Sequence, residues 1–426
     1  MKENIRSSRL LIAVLFVAVA LAVVVWAVGK RGRSGDQGNK SEVPTAIRQA
    51  ENVTNPESAG AGSQDPEIRE VTENPAPAAP PRAFQAANRS QSGDLTPASR
   101  TEPTPYSRQL VASLTQIDPT AAGQQADQWR TNLKTLIQQG AGAVPAIREF
   151  LERNQELSFG SASDAFGYAS LRSALIDALR EIGGPDATSA MLQVLRTSAL
   201  PSEVALIAGN LEQQAPGQYR AESISAINDV LALAHQGQLA GTDVAPLFQA
   251  LQTMGDSGVA TLTSLQAEWR YYSTLALAGT SEGQGVQALI RDAQDPAAGS
   301  RRDLAFEMLA QVAVKSPDAA NALIEAARAG QLSDAIWRKI ASGLAGDQYQ
   351  LSSPTPSSGT ASVSGLKTFH IESGNQNFYS VPVSAIASSE ETANRRALAQ
   401  QLLAIGASPA AAQAMQGAIA ALGGSR

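Results

Sequence analysis

The chain has 426 residues, a formal net charge of −6, two histidines and no cysteine. This length normally implies two or more domains, unless repeats stack into an array that grows without one enlarging core. The lack of cysteine excludes disulfides, thiolate nucleophiles and thiolate metal ligands. The mildly acidic balance argues against a nucleic-acid partner, which requires a basic field.

The first predicted element is a membrane anchor in residues 1–29. Nineteen residues, 10–28, contain no charge, proline or glycine, and as a helix they span roughly 28 Å, close to the hydrocarbon thickness of a bilayer. A cleaved signal peptide is the alternative, because Ala18-Val19-Ala20 has the small-x-small form. The apolar run continues to Trp26, however, whereas a signal peptide ends its apolar region near the cut. The sequence therefore predicts a single-pass anchor.

The positive charges on the two sides of this segment are nearly balanced, so they orient it only weakly. The short N-terminal tail, with its own amino charge, favours an N-inside orientation. That orientation places the bulk of the protein on the extracytoplasmic, periplasmic side of the membrane.

Residues 30–105 differ sharply in composition from the anchor. Proline, serine, glycine, asparagine and glutamate dominate, as in the run 74–81, and large apolar residues are scarce. Such a stretch cannot bury enough apolar surface to offset the entropy of ordering it. We expect a disordered linker that tethers the rest of the chain to the anchor.

From residue 106 to 426, helical periodicity takes over, and one phrase recurs within it. Residues 172–183 and 395–406 share Arg, Ala, Leu, Leu, Ile and Gly at the same offsets, and a looser copy begins at Arg302. Recurrence of a helix-plus-turn phrase predicts a helical repeat array. Leu179 and Leu402 occupy the same position of the phrase, so both are expected to be buried.

The clearest unit covers residues 171–195. Its first helix carries an apolar stripe, and Gly183-Gly184 supplies the backbone freedom that a helix stop needs. Pro185 then stands at a helix start, where its missing N–H costs nothing. The second helix repeats apolar residues at the spacing of an amphipathic helix. The unit is therefore a helical hairpin.

This unit resembles the HEAT-like repeats of phycobilisome lyase-type proteins. Their pattern is an Arg-led helix, then Ile/Leu-Gly, then Asp/Gly-Pro-x-Ala and a Leu-rich helix. The matching residues are Arg172, Ala174, Leu179, Ile182, Gly183, Gly184, Pro185, Asp186, Ala187 and Met191. The resemblance implies an all-α, HEAT-like α-solenoid of helical hairpins. Tetratricopeptide arrays are the alternative, but their fixed period and Trp/Leu-Gly/Tyr pattern are not seen.

One segment, about residues 347–387, interrupts the helical pattern. A Ser- and Pro-rich run is followed by alternating residues that include Phe369, Ile371 and Phe378. This alternation predicts a loop and a β-hairpin inserted between repeats. Pro382 lacks a donor for a sheet ladder, so we expect its strand to lie at an edge.

The sequence predicts no catalytic, cofactor or metal site. His235 and His370 are far apart and lack a cluster of acidic or histidine partners at ligand spacing. The glycines at 279, 283 and 285 lack the upstream strand of a phosphate-binding loop, so they are interpreted as a turn between repeats. None of these patterns indicates an enzyme.

Three Trp-Arg pairs are the most distinctive local feature, at residues 129–130, 269–270 and 337–338. Trp, Tyr and Arg dominate binding hot spots, so Arg270, Tyr271 and Arg338 are the candidate protein-binding residues. In the alternative interpretation, each Trp packs between helices and its neighbouring Arg reaches solvent. Trp269 and Tyr272, taken as members of one helix, are expected to be structural.

These features favour a non-enzymatic, membrane-tethered scaffold or adaptor that binds a protein partner. A solenoid offers an extended surface for that purpose. Two alternatives remain open. One is an enzyme accessory or lyase-like enzyme, which the family resemblance raises, with a site near the inserted hairpin. The other is a mechanical spacer in the cell envelope.

Overall fold

The computed structural model describes residues 102–116, 122–239, 242–280, 283–345, 348–349, 351, 368–373, 377–384, 386, 388–406 and 408–423. All of them belong to one compact unit, Gln64–Arg426. The predicted anchor and nearly all of the predicted linker lie outside these residues. Within the described ranges, no helix combines the length and apolar character needed to cross a membrane.

The described chain is predominantly helical, which confirms the predicted helical architecture. It contains seventeen α-helices: α1 Pro105–Thr115, α2 Ala122–Gln138, α3 Val144–Glu152, α4 Ser163–Phe166, α5 Leu171–Ile182, α6 Gly184–Thr197, α7 Pro201–Gln214, α8 Arg220–His235, α9 Ala245–Gln252, α10 Gly255–Leu265, α11 Arg270–Ala278, α12 Val286–Gln294, α13 Ser300–Val312, α14 Pro317–Arg328, α15 Asp334–Ala345, α16 Ser389–Ile405 and α17 Pro409–Gly423. Short 3₁₀ turns occupy Gly140–Gly142, Gly160–Ala162 and Pro296–Ala298.

The helices form two layers. Layer A contains α2, α5, α7, α9, α11, α13, α15 and α17, and each packs on the next. Layer B contains α1, α3, α6, α8, α10, α12, α14 and α16. Six hairpins of the described chain, each a layer A helix followed by a layer B helix, join the two layers: α5–α6, α7–α8, α9–α10, α11–α12, α13–α14 and α15–α16. This arrangement of stacked hairpins is compatible with an α-solenoid.

Each copy of the repeated phrase begins a packed helical hairpin, although α5 belongs to layer A and α16 to layer B. Leu179 in α5 and Leu402 in α16 are both completely buried, as predicted. The predicted stop after α5 is also confirmed, since Gly183 and Gly184 have φ values of 65° and 80°. Positive φ is strained for residues with a side chain, so this turn requires glycine. Pro185 lies in the first turn of α6, where the sequence placed it.

Three strands lie within the interrupting segment: β1 Gln348–Tyr349, β2 Thr368–Ser373 and β3 Asn377–Ser384. Strands β2 and β3 form an antiparallel hairpin, and the sheet order is β1-β3-β2. The expectation that the strand of Pro382 lies at an edge is wrong, because β3 is the middle strand. The described residues of β1 pair with Ser384 and Val383, and Pro382 pairs with Thr368 of β2.

Candidate functional site

The three tryptophans of the Trp-Arg pairs are core residues. Trp129, Trp269 and Trp337 are each at least 96% buried, with exposures of 4%, 2% and 4%. The ring of Trp269 lies 5.9 Å from that of Phe248 and 6.2 Å from that of Tyr272, measured between centroids. The interpretation in which tryptophan packs between helices is therefore confirmed. The tryptophans offer no surface to a partner.

The segment around Trp269 is built differently from the sequence expectation. Helix α11 begins at Arg270, and Trp269 is its N-cap residue with φ −119° and ψ 43°. Glu268 and Trp269 thus precede the helix, rather than belonging to it. Trp269 and Tyr272 are nevertheless both buried, as predicted, because the turn preceding α11 folds the indole back onto the core.

Arg270 and Tyr271 form a surface pair at the start of α11. The guanidinium carbon of Arg270 lies 5.0 Å from the centre of the Tyr271 ring. Arg270 Nη1 also donates to Ser300 Oγ at the start of α13. Both side chains are partly exposed. The pair is thereby held across two neighbouring helices of layer A and presents a cation stacked on an aromatic face.

The third candidate does not join this pair. Arg338 is exposed on α15, and α13 lies between α11 and α15 in layer A. Packed helices are about 8–10 Å apart, so Arg338 stands roughly two helix diameters from Arg270. The structure brings together two of the three candidate residues.

A groove between α12 and α14 of layer B has a volume of about 330 Å³. Phe306 of α13 forms part of its lining, together with the small side chains of Ala322 and Ala326 in α14 and of Ala329, the residue that follows this helix. Sequence reasoning missed this groove. The available signal was the alanine spacing of i, i+4 and i+7 at residues 322, 326 and 329, but alanine at such positions also permits close helix packing.

Polar bridges lie near both ends of the groove. At one end, Gln287 Nε2 donates to Asp318 Oδ2 at 3.0 Å. At the other end, Arg302 donates to Ala293 O and to Gln331 O, at 3.0 Å each. Both carbonyls belong to residues that line the groove. The first bridge joins α12 to α14, and the second joins α12, through Arg302 of α13, to the turn after α14.

The leading arginines of the repeated phrase have a structural role. Arg172 of α5 is 3% exposed and donates to both carboxylate oxygens of Glu203 in α7 and, at 2.9 Å, to Leu151 O in α3. Arg395 of α16 is completely buried and donates to Gly343 O of α15 at 2.7 Å and Gln311 O of α13 at 2.6 Å. Both arginines thus form hydrogen bonds between helices of neighbouring repeats.

The described ranges contain no candidate metal-binding cluster, that is, no group of three or more His, Asp or Glu that could hold a metal. His235 is exposed at the C-terminal end of α8. Burial, together with the charge and hydrogen bond of Asp177, raises the pKa of Tyr168 to about 12. This tyrosine is therefore protonated at neutral pH and acts as a donor to Asp177, at 3.0 Å.

Comparison with known proteins gives no relative from which a role could be transferred. No family model, curated protein or solved structure matches the chain. The functional conclusion therefore depends on the geometry of these surfaces.

Proposed function

We propose that this protein is a membrane-tethered, non-enzymatic scaffold or adaptor, in which a HEAT-like α-solenoid binds a protein partner. The observation that carries the proposal is the Arg270–Tyr271 pair. Arginine and tyrosine are among the residues that contribute most to binding hot spots. Here the two side chains are ordered in advance by their mutual stacking and by Ser300, so binding loses less side-chain entropy.

The two-layered array supports the same proposal. Arg172 and Arg395 tie successive hairpins together through buried hydrogen bonds, which keeps neighbouring surface positions in register. A rigid array of this kind can present several contact points at fixed spacing. The partner would engage layer A at Arg270 and Tyr271, and Arg338 offers a second contact farther along that layer.

The tether is the second part of the proposal and rests on the apolar run of residues 10–28 and on the proline-rich linker after it. The linker allows the array to capture partners within several tens of ångströms of the bilayer, about 50 Å for a flexible chain of this length. We place the array on the extracytoplasmic side. The full-length protein is expected to stay in the membrane pellet after a carbonate wash, and its release into the supernatant would contradict the tether.

The binding role is tested by partner capture from detergent-solubilised membranes. Arg270→Ala and Tyr271→Ala are each expected to reduce capture at least tenfold while the circular dichroism spectrum of the folded protein is retained. Arg196→Ala is the matched control, because Arg196 is an exposed arginine on α6 of layer B, and its capture should equal that of the unaltered protein. Unchanged capture in both test variants would refute this surface as the binding site.

A further inference from the structure

The chain that follows α15 crosses layer A and is held there by two glutamine side chains. Gln311 of α13 donates through Nε2 to Tyr349 O at 2.9 Å, and Tyr349 N–H donates to Gln311 Oε1 at 2.8 Å. Gln249 of α9 donates to Leu351 O. Tyr349 and Leu351 are thus bound to two helices of layer A, α13 and α9, between which α11 lies.

These hydrogen bonds are those of a β-strand. In an extended chain, the N–H and C=O of one residue point to the same side, and residues i and i+2 share that side. Tyr349 and Leu351 meet this condition, and the amide of Gln311 accepts and donates as a neighbouring strand residue would. The opposite edge of β1 pairs with β3 through Gln348 and Tyr349. The two glutamines therefore take the place of a further strand on the helical side.

The same segment buries apolar side chains. Leu351 is 8% exposed and belongs to the hydrophobic core, and Tyr349 is partly buried against that core. Their spacing of two residues puts both side chains on one face of an extended chain. The surface therefore accepts an aromatic residue and, two positions later, an aliphatic residue.

On the helical side of the site, Gln311 of α13 is held in place by contacts that do not involve the bound segment. The backbone carbonyl of Gln311 accepts a hydrogen bond from the fully buried Arg395, which holds this end of α13 in place. One turn earlier, the buried carboxylate of Glu307 is paired with Lys339 at 3.2 Å. Because this pair leaves no net charge beside Gln311, the surface favours an extended peptide with apolar side chains over a strongly charged one.

We propose that this surface of layer A, defined by Gln249 and Gln311, is a binding site for an extended segment of a partner protein. The segment carries an aromatic residue and an aliphatic residue two positions later. In the chain alone, Tyr349 and Leu351 occupy the site as an internal substitute. Binding through main-chain groups does not depend on the identity of the chain, so a partner segment with the same two side chains can replace it. This inference rests on the proposed scaffold function and specifies how a partner is held.

The test uses purified full-length protein in detergent and a fluorescent, end-capped peptide of the chain's own sequence 347–351, Asp-Gln-Tyr-Gln-Leu. Anisotropy reports binding. In the unaltered protein the internal segment competes with the peptide. Tyr349→Pro combined with Leu351→Ser weakens that segment, because proline has no N–H for Gln311 and serine removes the buried leucine. This double variant is expected to bind the peptide at least tenfold more tightly than the unaltered protein.

Adding Gln311→Ala to the double variant is expected to reduce peptide binding at least tenfold. The matched control is Gln416→Ala, an exposed glutamine on α17 of the same layer, which should leave binding unchanged. A peptide with Tyr and Leu both replaced by Ser should not bind. If the double variant is misfolded by circular dichroism, Leu351→Ser alone serves as the weakened chain, with a smaller gain in binding expected.

Two results would overturn the proposal. One is a peptide affinity that is the same in the unaltered protein and the double variant, or that is unaffected by Gln311→Ala. The other is self-association of the unaltered protein that the peptide reverses, which would assign the site to a second copy of the chain. The peptide assay needs no natural partner. If the peptide binds but partner capture is unaffected by Arg270→Ala and Tyr271→Ala, the proposed function alone is refuted. If the partner is captured but the peptide does not bind, this site alone is refuted.

Discussion

The buried ion pair between Arg172 and Glu203 is expected to be one of the strongest single determinants of stability in the array. Their side chains are 4% and 6% exposed, and Ser198 Oγ donates to the same carboxylate at 2.7 Å. Glu203→Ala leaves a buried guanidinium without its main partner, a change that typically costs about 3–5 kcal/mol. Glu156, 3.8 Å from Arg172 Nε and 43% exposed, offsets part of this loss. We therefore expect a cost of about 3 kcal/mol.

Urea unfolding followed by circular dichroism at 222 nm measures this cost as a lower midpoint at an unchanged slope. Asp127→Ala is the control, because its pair with Arg130 is exposed, at 92% and 53% for the two side chains, and such pairs contribute about 0–1 kcal/mol. Arg172→Met combined with Glu203→Leu should cost much less than Glu203→Ala, since no charge is left buried. A Glu203→Ala cost as small as the control's would refute the assignment of a desolvated pair.

Three further perturbations test packing and protonation. Leu179→Ala should lower the free energy of unfolding, measured by denaturant titration, by about 2–5 kcal/mol. Leu402→Ala should lower it by less, because α16 is the last helix of layer B described and has one stacked neighbour there. Equal, negligible effects of the two substitutions would contradict the shared repeat register. Gly285→Ala should lower the free energy of unfolding by about 1–3 kcal/mol, because its added Cβ would lie 2.2 Å from the carbonyl oxygen of Leu277. The Cβ added by Gly142→Ala meets no atom within 4 Å, so this control should be neutral or slightly stabilising in the same assay. The pKa of Tyr168 is raised to about 12, so its contribution to stability should be complete below pH 10 and lost as the pH rises towards 12. Because Tyr168 stays protonated between pH 9 and 11, Tyr168→Phe should not alter the change in absorbance at 295 nm over that range. A smaller absorbance change in the variant would show that Tyr168 ionises normally.

The features that the sequence predicted well are local ones. The stripe that contains Leu179 and the Gly183-Gly184 stop depend on residues within one or two helical turns, so periodicity and turn chemistry identify them. Burial of the tryptophans was predicted as the alternative to a role of the Trp-Arg pairs in binding a protein partner. The start of α11 was misplaced because Trp269 belongs to a turn whose conformation is set by packing against Phe248.

The features that the sequence did not reveal depend on which helices stack. Glu203 is 31 residues from Arg172, and Gln311 is 38 residues from Tyr349, so no spacing rule links either pair. The groove between α12 and α14 likewise arises from the meeting of two helices that are not consecutive. The position of β3 in the middle of its sheet depends on Gln348 and Tyr349, which precede the hairpin and carry little strand signal of their own.

The central claim is that layer A binds a protein partner at the membrane, and photo-crosslinking at Tyr271 tests it most directly. A photoreactive amino acid is placed at position 271 of the full-length protein in native membranes, and at the exposed Asn228 of α8 in layer B as the control. We expect one discrete, heavier adduct at 271, lost on Arg270→Ala, and none at 228. No adduct at 271, or the same set of adducts at both positions, would contradict the claim.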